Sequence, residues 1–430
     1  MKNHAKLLDL LNKKLTNFDF ISRHRTKSEH FTRNRSFTFK SLALFIISNL
    51  QSSIQRELDR FFKSYNNQLL PEQFVTQSAF SQARSKISPT AFLELIDDVS
   101  DFFYSRYEVK KWNGFRLLGI DGSSVVLPKT VEIIKEFGEY STSPKNRAVV
   151  LARMSKMYDV LNNQSIDIKL VNRKIGEQAL AIQHLDYCKE KDLVLLDRGY
   201  PSYELFREIL ASGVHFCARV TVANWGIAKK LVESGQKEAV VELMPSEKFL
   251  KKHKKEGLNA QPIKCRFICV ELSTGEKEVL ITSLLDDQEF PHDIFKELYH
   301  LRWGIEESFK KDKHRLQLEN FSGKSITAIY QDLYANILMG NLTAIFSSSM
   351  EPAIKNKRSS AKHKHQVNMT TALSKVKDTI ALLFTSANIT ELLDRLVKMI
   401  LKNTLPIRPG RRFERNKFKR KQYYKTYLPL

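Results

Sequence analysis

Long apolar runs, a secretion signal and zinc-binding cysteine patterns are all missing from this sequence of 430 residues. No apolar run approaches the roughly 18 residues that a membrane-spanning helix needs. The first residues, Met1-Lys-Asn-His-Ala, lack the pattern of a signal peptide, so we expect a cytoplasmic protein that does not bind a membrane. The four cysteines follow no zinc-site spacing and are expected to be buried, reduced thiols.

Acidic residues are scarce relative to basic ones. Lys and Arg together number 70 and Asp and Glu together 47, which gives a net charge of +23. Such an excess of positive charge favours a polyanionic partner, and nucleic acid is the first candidate. Hydrophobic residues make up 42 % of the chain, enough for a real core, and the length suggests roughly two to four domains.

The N-terminal region, residues 1–110, is predicted to be helical and to bind DNA. A short helix is expected over residues 76–86, and Pro89 in a first helical turn opens another. Arg84 and Lys86 lie on or near the exposed face of the short helix, where a helix pair can enter a DNA groove. The alternative is a helical bundle with a solvated surface.

Two apolar, strand-like segments each carry an aspartate. Asp121 lies inside the segment 115–127, and Asp197 ends the segment 192–197. A charge in such a strand is costly unless it is paired or binds a metal, and ligands of α/β folds gather at the carboxyl ends of strands. The alternatives are a turn at Asp121-Gly122 between two short strands and, for Asp197, a carboxylate that merely caps the next helix.

The predicted elements from residue 115 to 220 follow the order strand-strand-strand-helix-strand-helix-strand, which is the order of a ribonuclease H-like core. Strand-like runs after it predict a β-rich insertion, and an apolar helix near 326–346 closes the core. The predicted domains are a helical DNA-binding domain (1–110), the first part of the core (111–225), the insertion (226–284), the second part of the core (285–346) and a helical, basic C-terminal region (347–430).

A single helix is predicted from Tyr299 to Lys313, because apolar residues recur there at helical spacing. At about 100° per residue, Tyr299, Arg302, Glu306 and Lys313 fall within roughly 60° of each other on one helix edge. The alternative is an exposed edge on which Arg302 and Glu306 form an ordinary ion pair. Trp303 is expected either to stack on an unpaired base or to be buried in the core.

The C-terminal tail is strongly basic. It includes Arg411 and Arg412, and its one acid after Arg408 is Glu414. Such a segment cannot build a core and is expected to be extended and to bind phosphates. A tail that only improves solubility is the alternative.

The spacing Tyr-x2-Arg-x3-Glu-x6-Lys, at Tyr299, Arg302, Glu306 and Lys313, resembles the signature of bacterial cut-and-paste Asp-Asp-Glu transposases of the insertion sequence 4 family. The tetrapeptide Asp-Arg-Gly-Tyr that starts at Asp197 is similar to the second-aspartate motif of that family. The resemblance covers roughly residues 115–345. It implies an α/β fold, with a ribonuclease H-like catalytic core and a β-rich insertion, flanked by helical N- and C-terminal domains.

The resemblance also implies the chemistry. Asp121, Asp197 and Glu306 are the expected catalytic residues and metal ligands, holding two Mg²⁺ ions for which Mn²⁺ can substitute. The expected DNA contacts are Tyr299, Arg302, Trp303, Lys313, Arg198, Arg84, Lys86, Arg411 and Arg412. The implied partners are the double-stranded DNA of the element ends and of the target, and a second copy of the chain in a synaptic dimer. The implied location is the bacterial cytoplasm, at the nucleoid.

The function implied is binding of terminal inverted repeats, metal-dependent cleavage at element ends and strand transfer into target DNA. The alternatives are a stand-alone metal-dependent nuclease of ribonuclease H-like fold and a non-catalytic DNA-binding derivative. Some relatives form a DNA hairpin and trap a flipped base with tryptophan from the insertion. This chain has no tryptophan between residues 226 and 298, where its aromatic residues include Phe249, Phe267, Phe290 and Phe295.

Overall fold

The computed structural model describes residues 2–33, 35–48, 52–141, 148–253, 260–272, 274–357 and 361–408. The chain divides into two compact units. The first unit comprises Met1–Glu108, Val125–Ala152 and Lys310–Leu430, and the second comprises Val109–Ser124 and Arg153–Phe309. No helix within the described ranges is long and apolar enough to cross a membrane.

The first unit is mainly helical. Its helices are α1 (Lys2–Thr16), α2 (Phe18–His24), α3 (Phe39–Ile47), α4 (Ile54–Tyr65), α5 (Gln77–Arg84), α6 (Thr90–Arg106), α7 (Val131–Phe137), α14 (Ile326–Ser348), α15 (Glu351–Lys357), α16 (Met369–Leu383) and α17 (Ile389–Leu401). Helix α14 is buried on nearly all sides and packs against α3, α6 and α16. A helix that is apolar all round is typical of the centre of a core. The predicted apolar helix near 326–346 is therefore confirmed.

The second unit alternates strands and helices. Its strands are β1 (Arg116–Leu127), β3 (Val149–Asp159), β4 (Gln164–Asn172), β5 (Asp192–Leu196), β6 (His215–Val220), β7 (Glu238–Leu243), β8 (Ile263–Glu271) and β9 (Lys277–Thr282). Its helices are α8 (Glu177–His184), α9 (Tyr203–Ala211), α10 (Gly226–Ser234), α11 (Glu247–His253), α12 (Ile294–Leu301) and α13 (Trp303–Lys310). The end of β1 and the start of β3 are counted with the first unit.

These strands form one mixed sheet in the order β4-β3-β1-β5-β6-β9-β8-β7. Strands β1, β5 and β6 are parallel, whereas β9, β8 and β7 are antiparallel to their neighbours. In the first unit, β2 (Glu139–Tyr140) pairs with the start of β3, and β10 (His365–Val367) pairs with β11 (Thr404–Pro406). The predicted α/β class is confirmed as a mixed α/β architecture with a large mixed sheet.

The middle of the sheet is buried from solvent. All residues of β5 are buried, as expected for a parallel strand that is covered on both faces. Where β1 and β5 begin, Arg116 donates from Nε to Asp192 Oδ1 at 2.8 Å, so the two buried charges neutralise each other. The candidate site lies where the pairing between β1 and β5 stops, after Ile120 and Leu196.

Candidate active site

The register of the parallel strands brings the two predicted aspartates together. Ile120 of β1 pairs with Leu196, the last residue of β5. The next step in that register sets Asp121 beside Asp197, on neighbouring strands roughly 4.8 Å apart. The alternative of a turn at Asp121-Gly122 is wrong, since β1 continues through both residues.

Two glycines let helix α13 approach the sheet closely. A Cβ atom on Gly119 of β1 would lie 3.2 Å from the Cβ of Ile305, and one on Gly304 would lie 3.1 Å from the Cβ of Val160. Larger side chains at these positions would push the helix outward, because real Cβ atoms rarely make such short contacts. This close packing brings Glu306, the residue after Ile305, within electrostatic range of Asp121 in β1.

Asp197 accepts hydrogen bonds from two neighbours. The hydroxyl group of Tyr299 lies 3.4 Å from Asp197 Oδ1, and Nη2 of Arg219 lies 3.2 Å from the same oxygen. Tyr299 is buried, with 5 % of its surface exposed, so its ring faces the strand end and not open solvent. Arg219 also donates to Glu278, which fixes the guanidinium between the two acids.

Arg302 lies between α12 and α13, and its side chain contacts Glu306 and Tyr299. Its Nη2 donates to Glu306 Oε1 at 2.8 Å, and its guanidinium carbon lies 5.5 Å from the centre of the Tyr299 ring. Only 3 % of Arg302 is exposed, so the predicted alternative of an ion pair on a wet surface is wrong. The Nε atom of Arg302 is buried and has no hydrogen-bond partner among the described residues.

The pKa of Asp121 depends on its burial and on the charges of its neighbours. Burial raises the pKa of Asp121 to about 6, and the negative charges of Asp197 and Glu306 add to that increase. The Gly122 amide, which donates to Asp121 Oδ1 at 2.8 Å, and the positive charge of Arg302 both oppose it. The three carboxylates are therefore electrostatically coupled, and additional positive charge at Asp121 would be stabilising.

This donor set suits a hard divalent cation, which binds carboxylate oxygens and retains waters. Within the described ranges, no three His, Cys, Asp or Glu side chains are already gathered as a metal-binding group. The reason is visible at two of the acids, since Arg302 engages Glu306 and Arg219 engages Asp197. The three carboxylates are suitable ligands for a divalent cation, and their electrostatic coupling favours added positive charge. A cation would compete with Arg302 and Arg219 for Glu306 and Asp197.

The predicted single helix from Tyr299 to Lys313 is wrong in detail. Helix α12 ends at Leu301, α13 begins at Trp303, and residues 311–315 form a π-helical turn. At the break, the amide of Arg302 donates to Tyr299 at 3.1 Å and that of Ile305 donates to Arg302 at 3.1 Å, which tightens the turn. The constant rotation that set Lys313 on the Glu306 edge therefore does not hold.

Lys313 lies in the first unit, within the π-helical turn. Its Nζ atom is 3.9 Å from Glu319 Oε1, and Glu319 also accepts a hydrogen bond from the Val126 amide at 3.1 Å. Burial lowers the pKa of Lys313, while the carboxylates of Glu319 and Asp312 oppose that effect. The Lys313 ammonium thus has an acidic neighbour that the sequence pattern did not indicate.

Trp303 and Arg198 belong to the second unit and are exposed to solvent. Trp303 is 42 % exposed, so the alternative of a buried tryptophan is wrong, and the Arg302 guanidinium lies 5.6 Å from its ring centre. Arg198, directly after Asp197, is exposed. By contrast, the four phenylalanines Phe249, Phe267, Phe290 and Phe295 are all buried and present no ring to a base.

The structure corrects the placement of Arg84. Its side chain is buried in the first unit and donates to Asp332 at 2.9 Å, to Gln331 at 3.0 Å and to Ser322 at 2.8 Å. The physical reason is its spacing from Phe80, a core residue one helical turn earlier. Lys86 is half-buried, whereas Arg411 and Arg412 lie outside the described residues.

Sequence reasoning missed three neighbours of the carboxylates: Arg219, Glu177 and the hydroxyl group of Tyr200. Arg219 follows Ala218, which pairs with Leu196 of β5, so the same register sets it beside Asp197. The sequence signal for Arg219 was a single arginine near the end of an otherwise apolar strand, just as Asp121 is an acid within the apolar strand β1. Glu177 carried no signal of its own, because a carboxylate in a first helical turn is commonplace.

The strand ends, the arginines and the coupled carboxylates define a carboxylate centre on an α/β sheet, and the comparisons give its class. A family model described as a transposase DDE domain matches residues 112–342, more than half of the chain. The chain belongs to the family of DDE-domain transposases, and the predicted resemblance is confirmed.

Two further proteins are similar to this chain to different degrees. The transposase InsG for insertion sequence element IS4 of Escherichia coli (strain K12) is 24 % identical over 271 residues, which cover 63 % of this chain and 60 % of that protein. The match thus spans less than two thirds of the relative. A cryo-electron microscopy structure of the piggyBac transposase synaptic complex with hairpin DNA has a TM-score of 0.45 at 11 % identity, covering 94 % of this chain and 87 % of that one.

Proposed function

We propose that this chain is the DNA transposase of an insertion sequence, which binds the ends of its element, cleaves them and joins them to target DNA. The observation that carries the proposal is the meeting of Asp121, Asp197 and Glu306 in a chain that belongs to the DDE-domain family. No protein nucleophile is required, since water or a DNA 3′-hydroxyl attacks the phosphodiester.

The topology of the second unit supports a ribonuclease H-like catalytic core. Its strands β4-β3-β1-β5-β6 lie in the order expected for that core, and β9, β8 and β7 from the predicted insertion extend the same sheet. We retain the domain assignments at 1–110, 226–284 and 347–430 as part of this proposal. Asp197 directly follows the carboxyl end of the parallel strand β5, where α/β folds commonly place their chemistry, and Asp121 of β1 is next to it in the strand register.

Asp121, Asp197 and Glu306 would hold two Mg²⁺ ions, for which Mn²⁺ can substitute. A cation there supplies activation of the attacking oxygen and stabilisation of the leaving oxygen. The residues of the chain then have separate tasks. Asp121 and Asp197 are fixed by strand register, Arg219 and Tyr299 orient Asp197, and Glu306 arrives on α13.

Positive and aromatic side chains near the acids are proposed to bind DNA. Arg302 is buried beside Glu306 with an unpartnered Nε, a donor that a phosphate oxygen can satisfy. The exposed ring of Trp303 can stack on an unpaired base. Arg198, Lys313 and Lys86 are proposed to contact backbone phosphates, and so is the tail with Arg411 and Arg412. Arg84 is withdrawn from this set because it is buried and paired.

Binding of two DNA ends in a synaptic complex is proposed to involve a dimer of this chain. The net charge of +23 supports binding of a polyanion.

A strand-transfer assay tests the proposal against its alternatives. The purified protein is incubated with Mg²⁺, a supercoiled plasmid and labelled DNA that carries the inverted repeats flanking the reading frame. A transposase yields labelled plasmid joined through the element's 3′-ends. A stand-alone nuclease yields cut DNA with no joined product, and a non-catalytic derivative yields neither while still shifting the labelled DNA in a gel.

A further inference from the structure

A fourth carboxylate lies against the Asp121 strand. A Cβ atom placed on Gly122 would be 3.1 Å from Glu177 Oε1, so the Glu177 carboxylate packs directly over the backbone next to Asp121. The Glu177 side chain is 41 % exposed, and Nε of Arg153 lies 3.6 Å away. Glu177 is therefore accessible to a ligand, and Gly122 is the residue that permits its approach.

The hydroxyl group of Tyr200 points to a ligand at the same place. Tyr200 is 1 % exposed, and its hydroxyl oxygen has no hydrogen-bond partner among the described residues. Burial, followed by the negative charges of Asp121 and Glu177, raises the pKa of Tyr200, so the group retains its proton. A buried hydroxyl that lies within electrostatic range of two carboxylates and has no hydrogen-bond partner among the described residues is left available to a bound group.

Helix α8 holds Glu177 rigidly. At the far end of this helix, His184 Nε2 lies 2.9 Å from Ser155 Oγ in β3, and His184 Nδ1 lies 2.7 Å from Asp167 Oδ2 in β4. These three residues have the connectivity of a serine-hydrolase triad. However, Ser155 and His184 are completely buried, so no substrate can reach the serine. The set fastens the end of α8 to β3 and β4, and Glu177 begins the same helix.

We propose that Asp121, Glu177 and the Tyr200 hydroxyl group form a binding site for a hydrated divalent cation. Asp121 would hold the cation, Glu177 would accept hydrogen bonds from its water shell, and the Tyr200 hydroxyl group would hydrogen-bond to that shell. This inference rests on the proposed function, because Asp121 is shared with the Asp-Asp-Glu set. It adds Glu177 and Tyr200 as positioning residues.

Mn²⁺ binding to the full-length protein tests the site without DNA or catalysis. Free Mn²⁺ is followed by electron paramagnetic resonance during titration of wild type, Glu177→Gln, Tyr200→Phe and Asp121→Asn. Glu233→Gln is the matched control, since Glu233 is 62 % exposed on α10, where it pairs with Lys229. Loss of an outer-shell partner typically weakens metal affinity by about tenfold or more, which is the change expected for Glu177→Gln.

A melting curve for each variant separates positioning from structural support. Tyr200→Phe removes a hydroxyl without a partner, so its melting temperature should equal or exceed that of wild type while its Mn²⁺ affinity falls. Wild-type Mn²⁺ affinity in Glu177→Gln, or a lower melting temperature with unchanged affinity in Tyr200→Phe, would overturn the inference. If Asp121→Asn alone weakens binding, the proposed function stands without this site. If the wild-type protein itself binds no Mn²⁺, both are overturned.

Discussion

Removing the charge of Arg302 should destabilise the second unit far more than an ordinary i,i+4 ion pair would suggest. Arg302 is 3 % exposed and donates to Glu306 at 2.8 Å, with Asp121 and Asp197 also in electrostatic range. A hydrogen bond to a charged group contributes about 1.5–3 kcal/mol. We therefore expect Arg302→Gln to lower the free energy of unfolding by about 2 kcal/mol, more if the three carboxylates repel one another.

An exposed pair of the same spacing in the same unit provides the control. Lys229 and Glu233 lie 3.8 Å apart on α10, and both side chains are more than half exposed. Such pairs are worth about 0.3–0.5 kcal/mol, so Lys229→Gln should be nearly silent.

Urea unfolding followed by tryptophan fluorescence measures both variants. Added Mn²⁺ should stabilise Arg302→Gln more than wild type, because the cation then replaces a guanidinium and no longer competes with one. If Arg302→Gln and Lys229→Gln lose the same small amount of stability, Arg302 is not a buried member of the carboxylate centre.

Three further outcomes are expected. Arg84→Gln should destabilise the first unit by about 3 kcal/mol in urea unfolding, since it breaks a buried pair with Asp332, without changing the salt dependence of DNA binding. Lys86→Gln should leave stability nearly unchanged. In fluorescence anisotropy, the logarithm of the wild-type DNA-binding constant should fall steeply with the logarithm of the salt concentration, and Lys86→Gln should reduce that slope by about 1. A wild-type binding constant that does not change between about 50 and 200 mM salt would contradict phosphate binding. Burial lowers the pKa of His4 from 6.5 to about 4, so below pH 6.5 the unfolded chain binds a proton that the folded state does not. Folding stability should fall by about 2 kcal/mol from pH 7 to 5, and His4→Gln should lack this component in urea unfolding at both pH values.

Much of the centre was predictable because its signals are local. A run of buried residues followed by Asp197 indicates the end of a strand. An aspartate inside an apolar strand, as at Asp121, indicates a charge that must be paired or bind a metal. The order of elements then suggested which strands are neighbours. The strand register could not be predicted from the sequence, because it depends on pairing between distant segments. This register sets Arg219 beside Asp197.

The errors arose where tertiary packing overrides a local pattern. The helix through Arg302 breaks next to Gly304, where an added Cβ atom would lie 3.1 Å from Val160, a residue far away in the chain. The π-helical turn at 311–315 then removes the rotation on which the position of Lys313 was inferred. Arg84 was misplaced because its charge was given more weight than its spacing from Phe80. Glu177 was missed because only the fold brings α8 to Gly122.

Cleavage by carboxylate variants tests the central claim most directly. The purified protein is bound to DNA carrying its element end, and single-turnover cleavage is started with Mg²⁺ for wild type, Asp121→Asn, Asp197→Asn and Glu306→Gln, with Glu233→Gln as the control. If the three acids hold the catalytic cation, each variant should bind the end normally and lose cleavage by at least about a thousandfold, as expected when the main electrostatic stabilisation of a reaction is removed. Cleavage within tenfold of wild type by any one of the three variants would remove that residue from the centre. Near-normal cleavage by all three would contradict the assignment of catalysis to this end of the sheet.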